Sequence, residues 1–143
     1  MKLRTIARLD LIAATRHQKV LDEIERHNAM LVSAEQQRQV LDSYRTRLRE
    51  GWQNGQTVIA SEAQRASHFV RASDNAEAQI LRTEQNARRM LEAALQKLAD
   101  SQAYRNGLDE AARKATLVED RLAAQRAELA LPARGPANKA GGS

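Results

Sequence analysis

The stretch REGWQNGQTVIASEAQ, residues 49–64, decides how this chain folds. It sits between two long segments with helical patterning. Gly51 and Gly55 lie four apart, with Trp52 and the pair Asn54-Gly55 between them. Glycine takes the left-handed conformation without a Cβ clash, so Gly51 reads as the C′ residue that ends a first helix. Asn-Gly is a turn signal. Ser61 followed three residues later by Gln64 resembles a capping box that opens a second helix. Two helices joined by about ten residues fold back on each other as an antiparallel hairpin.

Before this stretch, apolar residues recur in threes and fours. Ile6, Ala13, Val20, His27, Ala34, Leu41 and Leu48 form one heptad column. Leu3, Asp10, His17, Ile24, Leu31, Arg38 and Arg45 form its companion. Such a seam is apolar in patches and polar between them, which describes a weak coiled coil and not a rigid zipper. After it, Ala66, Ser73, Ile80, Ala87, Ala94, Ser101, Leu108, Ala115, Leu122 and Leu129 form a column. Its companion reads Ala63, Val70, Glu77, Glu84, Leu91, Leu98, Arg105 and Ala112. Alanine at a seam lets helix backbones approach closely. Acid-before-base pairs four apart support the outer faces at Asp22–Arg26, Glu84–Arg88, Asp109–Arg113 and Glu110–Lys114. The expected fold is all-α, a long antiparallel two-helix coiled-coil hairpin whose second helix is the longer.

The expected boundaries are helix 1 over about 3–50, the turn over 51–61 and helix 2 over about 62–130. At about 1.5 Å per residue the helices span roughly 70 and 100 Å. If Glu50 faces Glu62, facing residue numbers add to about 112, and Leu3 lies opposite Asp109. Helix 1 then runs out near Asn106-Gly107, a candidate flex point, and the last turns of helix 2 project alone. The tail from Leu131 onward, LPARGPANKAGGS, is rich in Pro, Gly and Ala and reads as disordered.

Composition agrees. The 143 residues include one Phe, one Trp and two Tyr, too few for a thick core. Charged residues make up 29%, and both prolines, Pro132 and Pro136, lie in the tail. The absence of cysteine excludes disulfides, thiolate nucleophiles and Cys-based zinc sites. Apolar runs such as LIAA at 11–14 are too short to span a bilayer, and MKLRTIARLD is no secretory leader. The reading is therefore a cytoplasmic protein. The formal charge of +5 permits an anionic partner, but the basic residues are interleaved with acids, as on a solvated helix surface.

No catalytic constellation emerges. His17, His27 and His68 are not at metal-ligand spacing, and no phosphate loop surrounds Gly51 and Gly55. No enzyme, cofactor or metal is expected. Binding features concentrate around the turn. Arg45, Arg47, Arg49, Arg65 and Arg71 make it basic, and Trp52, Val58, Ile59, Phe69 and Val70 crowd apolar surface there. A local cap in which Trp52 folds onto Val58 or Phe69 is one reading. A protein-docking tip built on Phe69, Val70, Arg65, Arg71 and Trp52 is the other, since aromatic and arginine anchors dominate binding energy.

The order YRTRL at 44–48, NG at 54–55, IAS at 59–61 and HFV at 68–70 resembles the flagellar FliJ family, whose members share this hairpin architecture and length. The motif match covers about Tyr44–Ile80, and the architectural match nearly the whole chain. The resemblance implies a cytoplasmic, non-enzymatic stalk of the flagellar type III export apparatus, peripheral to the inner membrane through its partners. Such proteins sit in the hexameric export ATPase ring, reach the export-gate membrane protein and engage export chaperones. It implies ring contact through the terminal ends, carried here by Leu3, Ile6, Leu9, Ile12, Leu108 and Leu122. It places gate contact near Phe69 and Val70, and it implies a monomer. Related injectisome stalk proteins share the hairpin. A self-assembling coiled-coil scaffold and a nucleic-acid-binding helical hairpin are the alternatives from other classes, although stacking aromatics for nucleic acid are scarce.

Overall fold

The computed structural model describes residues 2–53 and 60–131. Two helices account for them, α1 over Leu3–Gln53 and α2 over Ala60–Ala130. They pack against each other antiparallel, as a helical hairpin in which α2 is longer. The readings of Asn54-Gly55 as a turn, of Val58 and Ile59 as cap residues and of a disordered tail fall outside the described residues, apart from Leu131, which follows α2 as a bend.

Two boundary readings need correction. Gly51 does not end α1. It lies within the helix, and a Cβ there would meet no atom within 4 Å. A helical glycine costs about 1 kcal/mol relative to alanine, an amount that continued backbone hydrogen bonding readily offsets. Ser61 is likewise inside α2, which opens at Ala60. Glu62 still places an acid in the first turn, where it meets the positive end of the helix dipole.

The chain divides into two compact units, each containing a piece of both helices. The first comprises Met1–His17 and Asp100–Ser143. Its core is Ile6, Ala13 and Leu108, with Leu9, Ala111, Ala112 and Ala115 packed around them. Two polar contacts flank this core. Arg105 Nε lies 3.8 Å from the Asp10 carboxylate, and His17 Nδ1 is 2.9 Å from Ser101 Oγ. Helix pairing continues past Asn106-Gly107 to Ala115; from Thr116 onward every described residue of α2 is exposed. Gly107 itself is helical, within the uninterrupted α2, with open space where a Cβ would stand. Gly107→Ala should raise stability by about 1 kcal/mol, visible as a higher midpoint in thermal circular dichroism.

The second unit is Gln18–Ala99. Its α1 portion keeps the anticipated seam, with Val20, Ile24, His27, Leu31, Ala34, Arg38, Leu41, Arg45 and Leu48 all buried or half-buried. On α2, Ala87 and Ala94 are 0% and 1% exposed. Side chains this small let the helices approach closely there. The polar seam residues of α1 meet polar residues of α2. Arg38 pairs with Glu84, and Arg45 reaches Glu77 at 2.7 Å and Asp74 at 3.1 Å. Lys97 lies 3.4 Å from Glu23.

These pairs displace the anticipated register. A sum of 112 would set Arg38 beside Asp74 and Asp10 beside Gln102. Arg38 instead meets Glu84, and Asp10 meets Arg105. Matched charges and the apolar columns set the register, and the midpoint of the turn does not. Polar seam positions have this effect because a slip changes the partner of each, setting His17 against Leu95 and Arg45 against Ser67.

The α2 companion column is also corrected. Ala63, Val70 and Glu77 are exposed, and Phe69 and Ala76 are half-buried in their place. Inward positions therefore run Phe69, Ser73, Ala76, Ile80, Glu84, Ala87. The consecutive steps of four at Ala76–Ile80–Glu84 break the alternation of threes and fours that α1 maintains opposite. Such a stutter locally unwinds a left-handed supercoil.

His27 occupies the seam with its Nδ1 buried and lacking a hydrogen-bond partner. An orphaned polar atom costs about 1–3 kcal/mol. His27→Leu should raise the urea midpoint of unfolding with an unchanged slope, a gain of about 1 kcal/mol.

Candidate docking groove

A groove of about 680 Å³ lies along the second unit where α2 departs from the alternation, lined by the half-buried Leu41, Phe69, Ala76 and Ile80 and by the exposed Ser33, Val40 and Tyr44. Gln36, Gln37, Gln79 and Thr83 supply amide and hydroxyl groups along its rim. A second hollow of about 310 Å³ continues past Phe69 to Leu48, Arg49 and Val70.

The aromatic pair organises this site. Tyr44 and Phe69 stand with ring centroids 4.6 Å apart at 43°, a tilted contact within the favourable range for aromatic pairs. Phe69 is thereby half-buried, and its partner is Tyr44 of α1. Tyr44 lies in neither heptad column of α1. Its exposure of 47% and its contact with Phe69 put it on the groove wall. Val40, 70% exposed, was missed altogether, since it lies in neither heptad column.

The other anticipated docking residues fall as follows. Val70 is exposed on the second hollow. Arg65 and Arg71 are exposed on α2. Trp52 lies in the last turn of α1, and its side chain is outside the described residues. Arg45, counted in the basic cluster, is instead neutralised by Asp74 and Glu77. The groove is therefore apolar with an amide rim, less cationic than the sequence suggested. It suits an apolar side chain or the ridge of a helix, with backbone or amide groups bonding to the glutamines.

In the first unit the anticipated ring-contact residues divide. Ile6 and Leu108 are 3% and 7% exposed and pack into the core of the hairpin itself. Leu3 and Leu9 are half-buried. Ile12 and Leu122 are exposed, at 50% and 45%.

Among the described residues no cluster of His, Cys, Asp or Glu is placed to hold a metal, and no helix is long and apolar enough to cross a membrane. No family model, no curated protein and no solved structure matches the chain.

Proposed function

We propose that this chain is a non-enzymatic central-stalk component of the flagellar type III protein export apparatus. It works in the cytoplasm, peripheral to the inner membrane through its partners. In this reading the paired and unpaired helix ends of the first unit enter the hexameric export ATPase ring. The groove of the second unit receives the export-gate membrane protein, and export chaperones bind along the helices.

The observation that carries the reading is the hairpin with a longer second helix and a seam of alanines and paired charges. A stalk inside a ring must be narrow and polar over most of its surface. Alanine at Ala34, Ala87 and Ala94 lets the two helices lie close, and ion pairs join them at Arg38–Glu84 and Arg45–Glu77. Exposed apolar residues recur along both helices, and they include Val40 and Tyr44 at the groove and Val118, Leu122 and Leu129 on α2 beyond Ala115.

The test uses exposed residues whose loss leaves the fold intact. Val40→Asp with Val70→Asp should weaken binding of a purified gate cytoplasmic domain at least tenfold, about 1.4 kcal/mol, with unchanged helicity by circular dichroism. Unchanged gate affinity would remove the groove from the proposal. No gate binding by the unaltered chain would remove the gate.

A further inference from the structure

The seam of α2 continues after α1 has ceased to cover it. Ala115, Leu122 and Leu129 extend the column of the buried Leu108, and Val118 stands three residues after Ala115 on the same face. These side chains are open, with Leu122 at 45%, Val118 at 53% and Leu129 at 86% exposure. The residues bordering this face carry charge in a specific order. Glu119 and Arg126, which continue the companion column of Arg105 and Ala112, lie on one side of the Leu122 column, and Arg121 and Glu128 lie on the other. All four are exposed.

We infer that this segment pairs antiparallel with the same segment of a second copy of the chain. The charges select the orientation. With Leu122 opposite Gln125 of the copy, Val118 falls opposite its Leu129. Like flanks face each other in an antiparallel pair, so Glu119 meets Arg126 of the copy and Arg121 meets its Glu128. The two-fold axis doubles each contact, giving opposite charges at all four places. A parallel in-register pair would instead set Arg121 against Arg126 twice, because unlike flanks then meet. The arrangement also continues an existing interface. The copy's helix takes up the seam of α2 where α1 leaves it, next to the shallow groove between Lys2, Ala115 and Val118.

The overlap covers about four helical turns and contains one strong apolar pair, Val118 with Leu129, used twice. The association is therefore weak, on the order of 100 µM, and reversible. The inference goes beyond the stalk reading and stands without it. If both hold, the ring and the second copy compete for Leu122.

The absence of cysteine makes the test clean. Chains carrying Leu122→Cys are mixed with chains carrying Gln125→Cys under mild oxidation, and the disulfide-linked dimers are sorted by mass. Antiparallel pairing yields mixed dimers in excess over the statistical share. An excess of same-variant dimers, or no disulfide at several hundred micromolar, overturns it. Sedimentation equilibrium supplies a second readout without cysteine. Glu119→Arg should weaken self-association about tenfold, and adding Arg126→Glu should restore it. Loss without restoration, or no loss, contradicts the proposed pairing. Export ATPase binding is not read by either measurement, so failure here leaves the stalk reading intact.

Discussion

Arg38→Met destabilises the hairpin by about 2 kcal/mol, and the double variant Arg38→Met with Glu84→Met recovers most or all of that loss. The expectation follows from the asymmetry of the pair. The Glu84 side chain is only 7% exposed, whereas Arg38 is 37% exposed. Removing Arg38 leaves a nearly buried carboxylate held by Arg88 alone, at 2.7 Å and four residues away on the same helix. Removing Glu84 alone is milder, because Arg38 can turn toward water or toward Glu35, 3.8 Å away. Replacing both leaves two flexible apolar side chains at the stutter, where packing space exists. Urea unfolding of the four chains completes a double-mutant cycle. A double variant as unstable as the sum of the singles would show that the pair does not act as a unit.

Ala87→Asp lowers stability by roughly 3 kcal/mol more than Ala93→Asp. Ala87 has no exposed surface, and Ala93 is exposed on the same helix two turns later. Both changes incur the same kind of helix-propensity cost, so their difference isolates the burial of an unpaired carboxylate at the seam. The seam also cannot widen locally at Ala87 without disturbing Ala94, itself 1% exposed. Thermal and urea unfolding followed by circular dichroism should both show the gap. Equal losses at the two sites would mean that the helices separate easily there and that the alanines are not a close-approach seam.

The hairpin was legible because two periodic segments flank one strong break. On α1 the reading extended to single residues, since every position of both heptad columns is buried or half-buried. On α2 it failed before Glu84 for an identifiable reason. Phe69 and Val70 are adjacent and both apolar, and Glu77 and Glu84 are both acidic seam candidates, so periodicity alone does not reveal a four-residue phase change between them. The groove was hidden by the same ambiguity, because it lies where α2 departs from the alternation. Register was out of reach for a different reason. It depends on which charges meet, and Arg38 had several acids within reach of a plausible alignment. A sharper signal was available in the polar residues of the seam. Asp10, His17, Arg38 and Arg45 each find a polar partner on α2, whereas a sum of 112 satisfies Arg38 with Asp74 but leaves His17 against Leu95 and Arg45 against Ser67. The burial of Ile6 and Leu108 was not legible, because residues at the end of a seam look the same in sequence whether they close the core or stay open.

The central claim is that this chain acts as the stalk of an export ATPase ring. Its most direct test is ATP hydrolysis by the purified flagellar-type export ATPase with and without the chain, run alongside size-exclusion analysis of ring assembly. With the chain present, hexamer formation and hydrolysis should both rise, and Leu122→Asp should reduce both without loss of helicity. An ATPase whose assembly and hydrolysis are indifferent to the chain would contradict it.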